Sequence, residues 1–471
     1  MNKKMQVFKY VLFDVIAAVI SWGLLYLYRK SIIENTIVDN FKIIFYDIKL
    51  YLGLVIVPVF WVGLYAISGT YRKIFRKSRL RELGQTLLQT LIGCLIIFFV
   101  LILDDVVNSY KNYYSSFVFL FTVHFSITFL FRFIITTTTA RKIQQGKIGF
   151  NTLIIGSNGN AVDIYKEIKN QEISSGNKFV GFVYVDKYET YKLDEFLPNL
   201  GSYQNLNDII VKNKIEEVII AIESSEHKII EDIITKLEDV NVVIKIIPGM
   251  HDILLGSVKM TGIFHVPLIQ IYPDLLPAWQ QFLKRFLDIV ISSLCLIILS
   301  PVFVFVAVGV KLSSKGPIFY SHQRIGLHGK PFVIYKFRSM YVDAEKNGPQ
   351  LSSKNDPRIT PFGKFLRKVR LDEIPQFYNV LIGEMSLVGP RPERQYYIDQ
   401  IIPKAPHYKL LLKVKPGITS WGQVKYGYAE NVEQMIERLK YDILYIENMS
   451  LTMDLKILIY TALIILQGRG K

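Results

Sequence analysis

The sequence predicts a membrane protein in three parts: four N-terminal transmembrane helices, a Rossmann-like α/β domain, and a C-terminal mixed α/β domain anchored by a re-entrant membrane helix. Three observations support this prediction. Hydrophobic residues make up 51% of the 471 residues, which is high for a soluble protein. Long apolar runs fill the first third, and a strand, a glycine turn and a helix follow. A further apolar run, interrupted by proline, precedes a strongly basic C-terminal part.

Four apolar runs define the predicted transmembrane domain, residues 1–140. They span residues 8–28, 44–67, 87–103 and 115–135, and each is close to the ~20 residues that cross a bilayer as a helix. No polar face breaks them, so a soluble four-helix bundle fits less well. Lys and Arg are abundant after the second and fourth runs. The positive-inside rule therefore puts the N-terminus and everything after the fourth run in the cytoplasm.

Residues 150–250 predict a parallel sheet with covering helices, because short apolar strands alternate with amphipathic stretches. The glycine turn at residues 156–159 follows the first strand and could hold a phosphate at a helix start. A dinucleotide fingerprint, however, has glycine where Asn158 stands. We therefore favour a degenerate nucleotide fold that serves as a spacer or regulatory module. Residues 251–277 are predicted to be a linker.

A fifth apolar run spans residues 286–310, within the predicted C-terminal domain 278–471. It is long enough to cross the bilayer, but basic residues flank both of its ends. Pro301 interrupts it, and proline bends a helix. The Ser300 hydroxyl can satisfy backbone groups that the bend frees. A helix that enters and leaves by the same face fits these features, with Ser300 and Pro301 as its hinge.

Charge and cysteine content narrow the possible functions. A net charge of +16 suits nucleic acid, anionic lipid or a phosphorylated substrate, and the apolar runs favour the last two. The only cysteines, Cys94 and Cys295, lie inside apolar runs, which excludes a disulfide framework and a zinc site. The sequence has no histidine pair with ligand spacing, no G-x-S-x-G motif and no P-loop.

Asp372 and Glu373 are the candidate chemical centre. Adjacent carboxylates raise each other's pKa unless a cation neutralises them, and Mg²⁺ commonly joins carboxylate to phosphate. A carboxylate can also attack a phosphoryl group, although such a pair alone is more often an exposed helix start. Arg391 lies between two prolines, in a rigid turn that can aim its guanidinium at a phosphate. Each of nine further candidates for substrate binding could alone be a surface residue: Lys284, Arg285, Gln323, Arg324, Lys336, Arg338, Arg358, Arg367 and Arg370.

These residues, in this order, resemble the monotopic phosphoglycosyl transferases, the bacterial sugar transferases that start exopolysaccharide, capsule and O-antigen synthesis. The part before residue 278 resembles the large members, which add four membrane helices and a CoA-binding-like α/β domain. The matching motifs are KRFLD (284–288), Ser-Pro (300–301), KGPIFY (315–320), QRIG (323–326), KFRSM (336–340), DPRIT (356–360), LDEIPQ (371–376), NVLIGEMSLVGPRP (379–392), KPGIT (415–419) and YDILYIENMSLTMD (441–454).

The resemblance implies transfer of a sugar-1-phosphate from a UDP-sugar to polyprenyl (undecaprenyl) phosphate, with release of UMP. It implies that Asp372 is the nucleophile and holds the phosphosugar covalently, that Glu373 helps Asp372 bind Mg²⁺, and that Arg391 contacts the phosphates. The enzyme would lie in the bacterial inner membrane with its catalytic domain in the cytoplasm. A homodimer is compatible with the large members, and nucleic acid is not an expected partner.

Two other functions fit parts of the sequence. A membrane-anchored nucleotide-sugar dehydratase can share the four helices and the α/β domain. It also needs an intact dinucleotide fingerprint with a Tyr-x-x-x-Lys pair, and Tyr188 and Lys192 have that spacing outside any such context. An inactive scaffold of a polysaccharide assembly complex would have no need of the acidic pair or of Arg391.

Overall fold

The computed structural model describes residues 3–33, 47–72, 74–102, 110–171, 173–187, 190–223, 226–237, 240, 242–249, 268–271, 275–346, 348, 350 and 356–467. Most of the predicted linker 251–277, and Tyr188, lie outside these residues. The chain forms two compact units, one of Met1–His227 with Val242–Ile271, the other of Lys228–Asn241 with Tyr272–Lys471.

Four long helices open the chain: α1 (Lys3–Tyr28), α2 (Ile48–Ile67), α3 (Arg79–Ile97) and α4 (Tyr110–Gln144). Within the described residues, four helices are long and apolar enough to span a membrane, which confirms the four predicted segments. Side-chain caps start α2 and α3, where Asp47 accepts from Lys49 N and Ser78 accepts from Arg81 N. A buried core that includes Trp61, Leu120 and Cys94 packs the helices together.

A buried ion pair inside this bundle was not predicted. Arg132 of α4 donates two hydrogen bonds to Asp14 of α1, both of 3.0 Å, and both side chains are about 1% exposed. A charge inside a membrane bundle requires a partner of opposite sign. The pair therefore fixes α1 against α4.

The α/β part of the first unit has the predicted parallel sheet. Its strands are β1 (Phe150–Ile155), β2 (Asn177–Tyr184), β3 (Asn199–Ser202), β4 (Glu217–Ile220), β5 (Val243–Ile246) and β6 (Ile269–Ile271), in the order β3-β2-β1-β4-β5-β6, with only β6 antiparallel to its neighbour. Helices α5 (Gly159–Lys169), α6 (Leu206–Asn213) and α7 (His227–Leu237) lie between strands in the sequence.

Internal packing explains the glycine turn after β1. Gly156 has a φ of +118°, and a Cβ there would lie 2.7 Å from the Ala221 carbonyl oxygen. The Asn158 side chain caps α5 by accepting from Ala161 N at 3.2 Å. Both residues thus have structural reasons that require no bound nucleotide.

The C-terminal segment of the second unit, Tyr272–Lys471, contains a bent helix pair, α8 (Ala278–Ile298) and α9 (Ser300–Ser313). The two axes differ by 62° at the break, where the sequence predicts a bend. Pro301 lies in the first turn of α9, a position that tolerates its missing N–H. The Ser300 hydroxyl donates to the Ile297 carbonyl at 2.8 Å. The helix starts at residue 278, eight residues before the predicted apolar run.

The remainder is a mixed α/β arrangement with a large hydrophobic core and a smaller, distinct cluster that includes Val310 and Leu366. An antiparallel hairpin of β7 (Phe319–Ile325) and β8 (Pro331–Phe337) precedes a parallel pair, β9 (Ser386–Val388) and β10 (Gly417–Thr419). The core contains Val380, Met385 and Tyr445. The helices of this part are α10 (Pro361–Lys368), α11 (Gln376–Ile382), α12 (Gln395–Ile401), α13 (Trp421–Lys425), α14 (Val432–Glu447) and α15 (Leu451–Leu466).

Candidate active site

A cavity of about 360 Å³ lies in the second unit and contains both acids of the predicted centre. Its walls are the β7–β8 hairpin, the turn that carries Asp372 and Glu373, the segment around Arg391, and α14. Seven cationic side chains line it together with four acids, so the cavity carries an excess of positive charge. The cations are Arg324, Lys336, Arg338, Arg367, Arg391, Arg394 and Arg438, and the acids are Glu345, Asp372, Glu373 and Glu393.

The turn that holds the two acids is short and constrained. Arg370 precedes it with a φ of 56°, in the left-handed region that costs a non-glycine residue energy. Residues Leu371–Glu373 form one 3₁₀ turn, and the next residue, Ile374, is buried in a hydrophobic cluster. This anchorage holds both carboxylates in the cavity wall, where Asp372 is 8% and Glu373 5% exposed.

Glu373 is surrounded by cations. Its Oε1 lies 2.8 Å from Lys336 Nζ and 3.7 Å from Arg391 Nη1, and its Oε2 lies 3.5 Å from Arg370 Nη1. Burial by itself would raise the pKa of Glu373, but Lys336, Arg370 and Arg391 outweigh burial and hold the pKa well below its usual range. Glu373 therefore remains ionised.

Asp372 has a different environment, although it is the adjacent residue. Its carboxylate forms no hydrogen bond or ion pair with any residue in the described part of the chain. Burial and the negative charge of Glu373 raise its pKa, against the attraction of Lys336, Arg367 and Arg370. Its oxygens thus remain available to a ligand. Two carboxylates whose surroundings differ in this way are suited to different roles.

Tyr428 supports the arginines around Glu373, and the sequence did not single it out. The guanidinium carbons of Arg370 and Arg391 each lie 5.4 Å from the centre of its ring, a distance at which a cation and a ring attract. Arg370 Nη2 also donates to the Tyr428 hydroxyl at 3.0 Å. The ring therefore fixes both arginines beside the acidic pair.

A second ionic cluster, centred on Glu393, was also missed. Glu393 accepts from Arg324 Nη1 at 2.9 Å and from Arg438 Nη2 at 2.6 Å. Nearby, Glu345 accepts from Arg394 at 2.7 Å and from the Tyr320 hydroxyl at 2.9 Å. Glu393 and Arg394 directly follow the predicted turn Pro390–Pro392, so their position next to Arg391 could have indicated that they belong to the site. Arg438 lies on a separate helix and offered none.

Lys284 and Arg285 lie outside the lining of the cavity. Lys284 Nζ lies 2.6 Å from Asp454 Oδ2 and 2.9 Å from the Val388 carbonyl oxygen. Arg285 donates at 2.6 and 2.8 Å to two carbonyls in the last turn of α11. These bonds attach α8 to the rest of the unit, and substrate binding by Lys284 and Arg285 stays a prediction.

Two further predicted residues, Arg358 and Arg338, have mainly structural contacts, and a third, Gln323, lies outside the cavity lining. Arg358 forms an ion pair with Asp356 at 2.6 Å, outside the cavity lining. Gln323 is exposed, because it lies on the face of β7 opposite to Arg324. Arg338 lines the cavity, but its guanidinium donates at 2.7 and 2.9 Å to two carbonyls just beyond α9. Arg324, Lys336, Arg367, Arg391 and both acids do meet in the cavity.

A cavity of about 400 Å³ lies in the other unit, between the segment at residues 74–78, the end of α4 and the sheet. Glu217 contacts Arg76 at 2.8 Å and Lys245 at 2.7 Å there. None of the predicted site residues lines this cavity.

The chain matches two family models and several known proteins. Residues 279–468 match a family model described as bacterial sugar transferase, and residues 66–248 match one described as a CoA-binding domain. Salmonella typhimurium undecaprenyl-phosphate galactose phosphotransferase is 33% identical over 339 residues, which are 68% of each chain. Klebsiella pneumoniae UDP-glucose:undecaprenyl-phosphate glucose-1-phosphate transferase is 36% identical over 282 residues, 59% of this chain and 60% of that one.

Aeromonas hydrophila UDP-N-acetylgalactosamine-undecaprenyl-phosphate N-acetylgalactosaminephosphotransferase is 39% identical over 224 residues, 48% of this chain and 52% of that one. The chain thus spans less than two thirds of the Klebsiella and Aeromonas relatives and just over two thirds of the Salmonella one. The matched C-terminal segment contains the whole lining of the 360 Å³ cavity. On these grounds the chain belongs to the bacterial sugar transferase family.

Proposed function

We propose that this chain transfers a sugar-1-phosphate from a UDP-sugar to undecaprenyl phosphate and releases UMP. The observation that carries the proposal is the contrast between the two adjacent acids: Glu373 contacts three cations, whereas Asp372 has no hydrogen-bond or ion-pair partner among the described residues. The names of the relatives support the same class of reaction. Those names carry three different sugars, so the sugar stays open.

The cations of the cavity suit a diphosphate. Phosphoryl transfer depends mainly on positioning and on neutralising the charge of the phosphates. Lys336, Arg367 and Arg391 line the cavity together with Asp372. An arginine can bind two phosphate oxygens at once. These three side chains would therefore hold the sugar-bearing phosphate against the free carboxylate.

Asp372 is the residue suited to attack. One of its oxygens would form a bond to the sugar-bearing phosphorus, while the bond from that phosphorus to the bridging oxygen breaks and UMP leaves with the electron pair. Glu373 is poorly placed for this step, because Lys336 and two arginines attract its oxygens. One role of Glu373 would be to hold those cations in place.

The second half of the reaction returns the enzyme to its first state. A phosphate oxygen of undecaprenyl phosphate would attack the same phosphorus, and the bond to Asp372 would break. The products are undecaprenyl diphosphate-sugar and a free Asp372 carboxylate. Both halves are displacements at phosphorus, so one set of cations serves both.

The acidic pair also fits Mg²⁺, which usually takes one or two carboxylates and completes its shell with phosphate oxygens and water. Among the described residues no group of three or more His, Cys, Asp or Glu side chains could hold a metal. Glu373 Oε2 is buried and accepts no hydrogen bond from a described residue. Asp372 and Glu373 would hold the ion, which would neutralise developing charge on the phosphates.

The membrane arrangement that we propose keeps this cavity in the cytoplasm of a bacterial inner membrane. The α8–α9 bend of 62° is compatible with re-entry, and residues such as Ile297, Val304 and Phe305 expose large apolar side chains on both helices. Lipid would cover these side chains. The four N-terminal spans, counted from a cytoplasmic N-terminus, return the chain to the same side.

The test is the identity of the nucleotide that leaves. Purified protein in detergent would be incubated with Mg²⁺ and each of several UDP-sugars, with and without undecaprenyl phosphate. We expect UMP, in turnover amounts only when the lipid phosphate is present. Release of UDP would indicate transfer of the sugar without its phosphate, and no release from any sugar donor would favour an inactive scaffold. Either result contradicts the proposal.

A further inference from the structure

One wall of the cavity carries three polar groups that have no hydrogen-bond partner among the described residues: His322 Nδ1, the Tyr397 hydroxyl and Arg438 Nε. All three atoms are buried, and all three residues line the cavity. We call these residues the donor wall. Buried donors without acceptors are rare in native proteins because leaving them unpaired costs stability. Their residues line the cavity, so a ligand bound there could supply the missing acceptors.

Glu393 and Arg324 connect two members of the donor wall, Arg438 and His322. Glu393 accepts from Arg438 at 2.6 Å and from Arg324 at 2.9 Å, and Arg324 Nε donates to His322 Nε2 at 2.6 Å. The Nε2 atom of a neutral imidazole can accept only if the proton is on Nδ1. Arg324 thereby makes His322 Nδ1 a donor.

The protonation states agree with this assignment. Burial, together with the positive charge of Arg324 and other cations, lowers the pKa of His322 to about 2, so the ring stays neutral. Burial raises the pKa of Tyr397, so its hydroxyl keeps the proton. An arginine side chain can only donate. The wall thus presents three donors, two of them neutral.

The hairpin sets the distance between the donor wall and the reaction centre. Tyr320 pairs with Lys336 across the hairpin, and Lys336 contacts Glu373. Tyr320, His322 and Arg324 alternate along β7 and face the cavity. His322 therefore lies about 7 Å along the strand from the pair that contains Lys336, at ~3.4 Å per residue. His322 would thus lie beside a part of the nucleotide that does not react.

The chemistry of the wall selects a planar ring with carbonyl groups. The rings of Tyr320 and His322 lie 5.1 Å apart, and Ala429 and Met435 add apolar surface. Flat aromatic and apolar surfaces favour stacking of a nucleobase. Uracil offers two carbonyl acceptors, whereas cytosine has an amino donor in place of one of them. A sugar hydroxyl can accept from the wall, but a wall made of donors leaves the hydroxyl's own proton without an acceptor. Phosphate is bound better by the cations beside Asp372.

We propose that the donor wall of His322, Tyr397 and Arg438 binds the uracil base of the sugar donor and discriminates against cytosine. This inference rests on the proposed function, because it assigns one end of the same substrate. Tyr397 and His322 are specificity-determining residues in this view, and they take no part in the bonds that form and break.

Binding of UMP, CMP and inorganic pyrophosphate to the full-length protein, measured by calorimetry, tests this inference. We expect UMP to bind at least about tenfold more tightly than CMP, since an unmet donor costs roughly that factor. Tyr397→Phe should weaken UMP binding by about three- to tenfold and leave pyrophosphate binding unchanged. The matched control is Tyr396→Phe, whose side chain is 53% exposed and should have no effect.

A second readout excludes a purely structural role for Tyr397. Its hydroxyl has no partner among the described residues, so Tyr397→Phe should not lower the unfolding temperature. Equal affinities for UMP and CMP, unchanged UMP binding in Tyr397→Phe, or lost pyrophosphate binding in that variant would each overturn the inference. The proposed function fails differently, because the unmodified protein would then release no UMP from any UDP-sugar.

Discussion

Lys336 Nζ lies 2.8 Å from Glu373 Oε1, and no comparable contact reaches the adjacent Asp372 from any described residue. The β7–β8 hairpin therefore brings its cation to the second acid of the pair only. Adjacent acids in a buried wall would otherwise share a proton. The hairpin lysine, with Arg370 and Arg391, keeps Glu373 ionised, while the oxygens of Asp372 have no such partner among the described residues.

Replacing Glu373 with glutamine should damage both stability and activity. Three buried cations would lose their common counter-ion, and breaking a buried pair costs about 3 kcal/mol or more. We expect UMP release to fall by about 10²-fold or more and the Mg²⁺ dependence to weaken. Calorimetric unfolding and a Mg²⁺ titration of UMP release would measure these effects. Glu437→Gln, at an exposed ion pair on α14, is the control, and a Mg²⁺ titration unchanged in Glu373→Gln would contradict the ligand assignment.

Arg391→Lys should be a poor enzyme that folds normally. Lysine keeps the charge, but it lacks the planar guanidinium that can bind two phosphate oxygens at once. We expect kcat/KM for the UDP-sugar to fall by about 10²-fold, the effect typical of a misplaced binding group. Arg141→Lys, at an exposed arginine near the end of α4, controls for the substitution itself. Near-normal kinetics in Arg391→Lys would mean that only the charge matters.

Asp442 should make stability depend on pH. It is 1% exposed, and its Oδ1 accepts from Gly422 N at 2.9 Å. Burial, opposed by Arg438 and by hydrogen bonds, raises its pKa from 3.8 to about 6. The folded state then binds more protons than the unfolded state between these values, so the contribution of Asp442 to stability falls as pH rises from 4 to 6. The difference corresponds to about 3 kcal/mol.

Unfolding temperatures of the parent and of Asp442→Asn at several pH values would check this. Asparagine keeps an acceptor for Gly422 N and cannot ionise, so the variant should gain stability relative to the parent as pH rises through 6. Parallel pH profiles for the two proteins would show that Asp442 does not titrate in this range.

Pro301→Leu tests the re-entrant arrangement of α8 and α9. Leucine restores the N–H that proline lacks, so the two helices can join, and ~25 apolar residues suffice to cross a bilayer. With Cys94 and Cys295 replaced, a cysteine at Lys440 would be probed from outside intact cells. Lys440 is 64% exposed on α14. The cysteine should be unreactive in the parent and become reactive in the leucine variant. Labelling in the parent would mean that the helix pair spans the membrane.

Local sequence patterns predicted most of the architecture. The four long helices, the parallel sheet and the bend at Ser300 and Pro301 follow from apolar runs, alternation and proline, which act on neighbouring residues. The sequence could not predict contacts between residues that are distant along the chain. Arg132 forms hydrogen bonds with Asp14, which is 118 residues away in the sequence, and Arg438 with Glu393, which is 45 residues away.

The candidate site divides in the same way. Asp372, Glu373 and Arg391 were predicted from their own motifs, and the fold brings them together. Cationic side chains that cap helices have the same appearance in the sequence as those that bind phosphate. Arg285 donates to a main-chain carbonyl in the last turn of α11, and Arg338 donates to a carbonyl just beyond α9. No local sequence pattern distinguishes such contacts from substrate binding.

The mass of the intact protein after incubation with a UDP-sugar and no lipid acceptor tests the central claim, that Asp372 is the nucleophile, most directly. The account predicts a mass increase equal to one phosphosugar, located on Asp372 by fragmentation and lost when undecaprenyl phosphate is added. Asp372→Asn should fold normally, form no adduct and release no UMP. UMP release with lipid acceptor but without any adduct, or normal turnover by Asp372→Asn, would contradict it.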